Sequence, residues 1–192
     1  MTAALPSPAR VRCIGFDSDG TLTDRGIAWD TEGRGSRRFD VRDGIAMQWA
    51  RRFGLSVVVI SGKASAAVDA RLAELEVPGF QGVADKVDCL QCFLAPLGIR
   101  LDECAFLGDD LPDLPALRAV GYPMAVADAH PLVHRVSVWR SECKGGFGAA
   151  REAVEHVLRA RGLWGRVLER YGAQDLEPDP DVAPAGARRA FE

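Results

Sequence analysis

The feature that most constrains the fold is an apolar run that ends in two acidic residues, at residues 11–20 (VRCIGFDSDG). The run is short and is bounded by a glycine, which is typical of a strand buried in a parallel sheet. Asp17 and Asp19 follow it, two positions apart, at the predicted carboxyl end of the strand. Open α/β sheets bind ligands in the crevice beyond these strand ends. Because a buried strand needs no acid pair there, the stretch predicts a catalytic or ligand-binding site.

Strands and helices alternate along the rest of the chain. Apolar and β-branched runs predict strands, and amphipathic segments predict helices. The predicted strands are 55–60, 104–107, 123–126 and 136–139, with a short strand or loop at 77–82, and the predicted helices are 45–53, 64–75, 86–97, 114–120 and 149–168. Right-handed βαβ crossovers then give a Rossmann-like α/β fold, in which helices cover both faces of one parallel sheet.

Residues 24–40 interrupt this alternation. Their turn-rich centre lies between two short β-prone runs, which predicts a β-hairpin inserted after the first strand, with a plain surface loop as the alternative. We expect residues 1–9 to be a disordered lead-in, residues 10–172 to form a single domain, and residues 173–192 to be a flexible tail.

The composition excludes several classes of partner. A formal net charge of -3 gives no electrostatic footprint for nucleic acid or for an anionic membrane. No apolar run approaches the roughly 20 residues of a membrane span. The first eight residues lack the basic and apolar regions of a signal peptide, so we expect a cytoplasmic protein.

The five cysteines do not predict a disulfide framework, because their number is odd and no signal peptide precedes them. Cys89 and Cys92 have the spacing of a zinc half-site, but no second pair of ligands follows. Their segment also reads as an amphipathic helix, in which cysteine packs as a small hydrophobic residue, and this interpretation is favoured.

Polar residues follow the predicted strands at the edge of the sheet where Asp17 and Asp19 lie, and one lysine starts a predicted helix between them. Together they are Asp17, Asp19, Ser61, Lys86, Asp109, Asp110 and Asp113. Several carboxylates in one crevice repel each other unless a cation neutralises them, and oxygen ligands suit Mg²⁺. A lysine and a hydroxyl beside the metal suit a phosphoryl group. Asp17 can serve as a covalent nucleophile, and Asp19 can protonate the leaving oxygen. Taken singly, Ser61, Asp110 or Asp113 also suits a helix cap or a turn.

The same residues resemble the four motifs of the haloacid dehalogenase superfamily of phosphohydrolases. The motifs correspond to residues 16–23 (FDSDGTLT), 60–62 (ISG), Lys86 and 108–113 (GDDLPD). The chain is most similar to the branch of 3-deoxy-D-manno-octulosonate 8-phosphate phosphatases, which has no cap domain. Further similar stretches are Asp24 with the hairpin, 41–44 (VRDG), 81–82, 125–131 and 145–148.

The resemblance implies a role for each motif residue. Asp17 is the nucleophile and Asp19 the general acid/base, and Mg²⁺ is held by the Asp17 carboxylate, the Asp19 carbonyl and Asp109. The phosphate-binding residues are Ser61, Gly62 and Lys86. Asp110 and Asp113 orient the ligands and waters around the metal. The resemblance also implies a homotetramer in lipopolysaccharide biosynthesis, in which each hairpin covers a neighbour's site and excludes water.

Two positions depart from the family pattern. Lys63 stands where the family has arginine after Thr-Gly, and Phe147 stands where it has arginine in Gly-Gly-Arg-Gly. Lysine keeps the charge of arginine but loses its bidentate recognition of carboxylates, whereas phenylalanine loses both. With Arg42 and Asp43, these residues are the candidates for contacting the substrate.

Three functions follow, in order of preference. The first is a phosphatase for 3-deoxy-D-manno-octulosonate 8-phosphate or a related small sugar phosphate. The second keeps the chemistry and changes the substrate to a nine-carbon keto-sugar acid phosphate or a phenyl phosphate. The third is a non-catalytic phospholigand-binding subunit of a larger enzyme, against which the intact pair of Asp17 and Asp19 argues.

Overall fold

A six-stranded parallel sheet forms the centre of the computed structural model, which describes residues 6–176. Its strands run in the order β5-β4-β1-β6-β7-β8, and a separate antiparallel pair, β2-β3, forms a hairpin. The strands are β1 (Cys13–Phe16), β2 (Ala28–Trp29), β3 (Gly35–Ser36), β4 (Ser56–Ile60), β5 (Gly79–Phe80), β6 (Cys104–Gly108), β7 (Tyr122–Ala125) and β8 (Trp139–Arg140). The predicted α/β class, parallel sheet and hairpin insertion are confirmed.

Residues 6–176 contain seven α-helices, of which the first five lie between strands and the last two follow β8. They are α1 (Val41–Arg52), α2 (Ala66–Leu75), α3 (Lys86–Leu94), α4 (Leu114–Ala119), α5 (Pro131–Val136), α6 (Ala149–Ala160) and α7 (Trp164–Arg170). Helix α1 packs against α2 and α6, whereas α4 packs against α3 and α5. Right-handed crossovers place these two groups on opposite faces of the sheet. No segment between the strands of the described chain forms a separate cap domain.

Strand β1 lies in the middle of the sheet because all of its residues tolerate complete burial. It pairs with β4 on one side and β6 on the other, with Cys13 opposite Ser56 and Cys104. Gly15 admits the ring of Phe106, since a Cβ at that position would lie 2.6 Å from the ring. The central position of β1 brings the acid pair that follows it between the ends of its two neighbours.

Helix α1 begins at Val41, four residues earlier than the predicted start at Ile45. Asp40 is its N-cap, and the carboxylate accepts a hydrogen bond from the Arg42 amide at 2.8 Å. Residues 41–44 are therefore helical, whereas the sequence placed them before the helix. The capping side chain, rather than the first apolar residue of the periodic pattern, sets the boundary.

Two predictions near the carboxyl end are wrong. Residues 131–136 form helix α5, because Pro131 occupies its first turn and His130 Nδ1 accepts from the Leu132 amide. The predicted strand at 136–139 consequently begins only at Trp139. The single helix predicted for 149–168 is broken into α6 and α7 at 161–163, where Gly162 has a φ of +67°. Glycine adopts this conformation readily, so it ends a helix even where the hydrophobic periodicity continues.

The hairpin is closed at its base by an antiparallel bridge between Thr23 and Phe39. Much of the predicted lead-in and tail, residues 1–5 and 177–192, lies outside the described residues. Residues 8–10, at the junction of the predicted lead-in and the domain, form one turn of 3-10 helix. Over residues 6–176, no helix has the length and apolar character that crossing a membrane requires.

Candidate active site

A cavity of about 230 Å³ opens at the carboxyl ends of β1, β4 and β6. Its lining contains nine of the residues predicted for the site and one proline: Asp17, Asp19, Ser61, Gly62, Lys63, Lys86, Asp109, Asp110, Pro112 and Asp113. A larger groove of about 510 Å³ lies between the ends of α1, α2 and α7, where Trp49 and Tyr171 line it. The smaller cavity is the candidate active site, because it alone brings the carboxylates and the buried lysine together.

Lys86 joins two of the buried carboxylates. Its ammonium donates to Asp17 Oδ1 at 2.5 Å and to Asp113 Oδ1 at 2.6 Å, and its side chain is 5% exposed. Lys86 is the first residue of α3, whose N-cap Asp85 accepts from the Val87 and Asp88 amides. Burial alone lowers the pKa of Lys86, but Asp17 and Asp113 outweigh it and the net direction is upward. The lysine therefore stays charged inside the site.

Asp17 is the most perturbed acid of the cavity. Burial, followed by repulsion from Asp113, raises the pKa of Asp17 to about 8 against the opposing effect of Lys86. One lysine is thus insufficient to stabilise the carboxylate form of Asp17 and its neighbours. A further cation beside it favours the ionised, nucleophilic form.

Asp113 holds the loop that follows β6. It is fully buried, and its Oδ2 accepts from the Asp109 amide at 2.9 Å and from the Asp110 amide at 3.3 Å. Gly108 makes room for this arrangement, since a Cβ there would lie 2.6 Å from Asp113 Oδ2. Asp113 therefore fixes both the lysine and the backbone that carries Asp109.

Carboxylate oxygens of Asp17, Asp109 and Asp113 lie within 4.8 Å of one another, and all three residues are buried. Burial, followed by Asp113, raises the pKa of Asp109 to about 6. A compact set of oxygen donors that repel each other fits a hard divalent cation. The Asp19 carboxylate is not part of this cluster.

Asp19 instead forms a two-pronged ion pair with Arg37, which the sequence reasoning missed. Arg37 Nε donates to Asp19 Oδ1 at 2.6 Å and Nη2 donates to Oδ2 at 3.2 Å. The Arg37 side chain is only 7% exposed, although it follows the short strand β3 of the hairpin. No spacing in the sequence relates a hairpin arginine to an acid 18 residues earlier.

Arg25 is a second arginine that the sequence reasoning missed. Its Nε donates to Asp109 Oδ2 at 3.1 Å, and its Nη1 donates to Asp128 Oδ2 at 2.6 Å. Arg25 has a φ of +68°, a left-handed conformation that side chains other than glycine rarely adopt. Positive φ at a non-glycine residue beside a candidate metal ligand is a strained arrangement that the surrounding ion pairs maintain.

Ser61, Gly62 and Lys63 follow the end of β4. Ser61 is buried, and its hydroxyl accepts from the Lys63 amide at 3.3 Å. Its backbone carbonyl accepts from the Val83 amide, which ties the end of β4 to the segment before α3. Lys63 is exposed and lines the same cavity, so it lies where a substrate group can approach.

The other three substrate-side candidates lie around the start of α6 and are absent from the cavity lining. The Asp43 carboxylate is buried and accepts from the Arg151 amide at 2.7 Å. Arg42 pairs with Asp40 and donates to the Phe147 carbonyl at 3.0 Å. The Arg38 guanidinium lies over the Phe147 ring, and the distance from Arg38 Cζ to the centre of the ring is 4.2 Å.

Cys89 and Cys92 lie on α3, one half-buried and one exposed. Cys89 packs against the hydrophobic core. Among residues 6–176, the one group of three or more candidate metal ligands is the Asp17, Asp109 and Asp113 cluster, so the cysteines lack the further ligands of a zinc site.

Comparisons with known proteins identify the family of the chain. A family model described as haloacid dehalogenase-like hydrolase matches residues 80–144. The chain is 33% identical over 162 residues to the 3-deoxy-D-manno-octulosonate 8-phosphate phosphatase KdsC of Salmonella typhi, covering 84% of this chain and 86% of that protein. Its Escherichia coli K12 counterpart is 35% identical over 153 residues, covering 79% and 81%.

Solved structures show the same similarity. A hypothetical protein of Xanthomonas campestris is 40% identical, with a TM-score of 0.83 and coverage of 86% of this chain and 91% of that one. The 3-deoxy-D-manno-octulosonate 8-phosphate phosphatase of Moraxella catarrhalis, in complex with magnesium, phosphate and KDO, is 34% identical. Its TM-score is 0.82, and the match covers 85% of this chain and 95% of that one. The chain therefore belongs to the 3-deoxy-D-manno-octulosonate 8-phosphate phosphatase family of haloacid dehalogenase-like hydrolases.

Proposed function

We propose that the protein is a Mg²⁺-dependent phosphomonoesterase that hydrolyses 3-deoxy-D-manno-octulosonate 8-phosphate or a closely related sugar acid phosphate. The observation that carries the proposal is the Lys86 ammonium between Asp17 and Asp113, at the edge of a cavity that Ser61 also lines. The ammonium group of lysine has three N–H donors, two of which are bonded to the two carboxylates here. The third can donate a hydrogen bond to a phosphoryl oxygen.

The chain's own residues account for two balanced half-reactions. Asp17 attacks phosphorus, the bond from phosphorus to the leaving oxygen breaks, and the proton of Asp19 passes to that oxygen as the alcohol departs. Water then attacks the aspartyl-phosphate and gives its proton to Asp19. The bond from phosphorus to Asp17 breaks, which releases inorganic phosphate and restores the carboxylate.

The residues present fit a magnesium ion. The Asp17 and Asp109 carboxylates and the Asp19 carbonyl would hold it, and Asp113 would keep the loop of Asp109 in place. When bound, Mg²⁺ neutralises the charge that develops on the transferring phosphoryl group.

The substrate assignment rests on the relatives and on the cavity rim. The Moraxella catarrhalis relative was solved with magnesium, phosphate and KDO. Lys63 supplies a cation at the rim to pair with a carboxylate of the substrate. We further propose that residues 10–172 act as one domain and that the protein is a cytoplasmic homotetramer in lipopolysaccharide biosynthesis. Trp29, which is 69% exposed on the hairpin, supports a contact between copies.

Hydrolysis of phosphomonoesters by the purified protein with MgCl₂ tests the function. We expect Asp17→Asn to lose about 10⁴-fold or more in kcat, because an amide cannot form the acyl-phosphate. Asp102→Asn is a matched control, since Asp102 pairs with Arg10 and Arg100 on the surface. Failure of the wild type to release phosphate from any monoester would refute the proposal and favour a phospholigand-binding subunit.

A comparison of substrates then fixes the specificity. We expect kcat/KM to be highest for 3-deoxy-D-manno-octulosonate 8-phosphate among that compound, a nine-carbon keto-sugar acid phosphate and phenyl phosphate. A preference for phenyl phosphate would reassign the substrate while leaving the phosphatase chemistry in place.

A further inference from the structure

The pair of Asp19 and Arg37 is more tightly built than an ordinary surface ion pair. The guanidinium donates to both carboxylate oxygens, at 2.6 Å to Oδ1 and 3.2 Å to Oδ2. The Arg37 side chain is 7% exposed and that of Asp19 is 29% exposed. A bidentate pair of this kind fixes the plane of the carboxylate as well as its position.

A third hydrogen bond fixes the guanidinium itself. Arg37 Nη1 donates to Ser65 Oγ at 2.6 Å. Ser65 is the N-cap of α2, yet its hydroxyl makes no capping bond to the helix, and its backbone is held by Gln81 through the Ser65 amide and carbonyl. Arg37 therefore connects the hairpin, the acid after β1 and the start of α2.

The position of this pair matters for the chemistry. Asp19 lines the catalytic cavity, but its carboxylate lies outside the cluster formed by Asp17, Asp109 and Asp113. The arginine thus holds the Asp19 carboxylate outside the cluster of metal-binding oxygens, while Asp19 still lines the cavity. Both oxygens accept from the guanidinium, and the bond to Oδ2 is the longer one, so proton exchange at Oδ2 breaks only that weaker bond.

We propose that Arg37 is a positioning residue, which holds the Asp19 carboxylate where it protonates the leaving oxygen of the substrate. The inference rests on the proposed phosphatase function. In the step concerned, the electron pair of the breaking phosphorus–oxygen bond stays on the leaving oxygen, and the Asp19 proton is transferred to it.

Dependence on the leaving group distinguishes this role from a merely structural one. A sugar or glycerol alkoxide is a poor leaving group that needs a proton, whereas 4-nitrophenolate leaves without one. We expect Arg37→Ala to lower kcat/KM about 100-fold for β-glycerophosphate and less than about 5-fold for 4-nitrophenyl phosphate. Arg37→Lys keeps the positive charge but cannot form the bidentate hydrogen bonds. Its kcat/KM for β-glycerophosphate should be about 10-fold higher than that of Arg37→Ala.

Two further variants control for folding. Arg34→Ala removes a hairpin arginine that pairs with Asp30 and Glu32 in solvent, and it should leave both rates unchanged within about 2-fold. Ser65→Ala removes only the third hydrogen bond, and should lower the alkyl phosphate rate about 3- to 10-fold. Because this variant retains the ion pair, it tests the proposal even where Arg37→Ala does not fold.

The outcomes separate the two proposals. Equal losses on the two substrates, or no loss on either, would overturn the role of Arg37 while leaving the phosphatase function intact. A wild-type protein that hydrolyses neither phosphate in the presence of Mg²⁺ would overturn the function, and the role of Arg37 with it.

Discussion

Asp43 provides a direct test of how burial controls the stability of this fold. Its side chain is 3% exposed, its Oδ1 accepts from the Arg151 amide at 2.7 Å, and its Oδ2 has no hydrogen-bond partner among the described residues. Burial raises the pKa of Asp43 to about 6 from 3.8, with Asp40 adding to the rise and the amides of Arg151 and Gly148 opposing it. The folded protein therefore retains a proton on Asp43 that the unfolded chain has released.

The sign of the effect follows from proton binding. Between pH 3.8 and about 6 the folded state binds more protons than the unfolded state, so the free energy of unfolding falls as the pH rises. At about 1.36 kcal/mol for each pH unit between the two values, the ionised carboxylate costs about 3 kcal/mol above pH 7. Asp43→Asn keeps the acceptor for Arg151 and removes the charge.

Urea unfolding at pH 4, 5, 6 and 7.5, with EDTA present, measures this difference. We expect the free energy of unfolding of Asp43→Asn, relative to the wild type, to rise by about 2.4 kcal/mol from pH 4 to pH 7.5, because a small part of the full difference is already present at pH 4. Contributions from Asp17 and Asp109 are common to both proteins and cancel. A difference that stays constant within about 0.5 kcal/mol over this range would refute the reasoning.

Two further substitutions test the packing of the site. Lys86→Met leaves Asp17 and Asp113 buried without their cation. The free energy of unfolding should therefore fall by about 3–5 kcal/mol at pH 7.5 and by less at pH 5. An equal loss of stability at the two pH values would contradict this. Gly145→Ala places a Cβ 1.7 Å from the Gly20 carbonyl oxygen, and should cost about 1–3 kcal/mol or more in urea unfolding. Gly165→Ala, in open space on α7, is the control and should be neutral or slightly stabilising, so similar losses in both variants would contradict the role of this contact.

The sheet and the central cluster were predictable because their signals are local. The buried run of β1 is continuous, and Asp17 follows it at the strand end. Parallel strands bring Ser61 and Asp109 to the same edge whatever the intervening lengths of chain, so their convergence needs only the βαβ topology. Lys86 was also assigned correctly to the start of a helix, although only the structure shows it between two carboxylates.

The residues that sequence reasoning missed depend on the path of an irregular segment. Arg25 and Arg37 reach Asp109 and Asp19 because the hairpin turns back over the strand ends, and no periodic pattern encodes that path. The error at α5 has a similar cause, since Pro131 permits a first helical turn that the β-prone residues after it do not suggest. The sequence marked Asp43 as a candidate residue because it lies in the stretch 41–44. It could not show that the Asp43 carboxylate is buried against α6, where it accepts from the Arg151 amide.

The distribution of cations over the carboxylates explains what the hairpin contributes to the site. Lys86 pairs with Asp17 and Asp113, whereas Arg25 and Arg37, two of the four arginines in segment 24–40, pair with Asp109 and Asp19. The cavity lining carries five carboxylates, including that of Asp110, and two lysines, Lys63 and Lys86. With Arg25 and Arg37 this makes four cations against five acids, so full ionisation leaves about one negative charge, to which a phosphomonoester adds about two more. A divalent cation would offset most of this charge and so favour the binding of such a substrate. Without the two guanidinium groups the deficit would be two charges larger, so the hairpin completes the electrostatics of a cavity that no cap domain encloses.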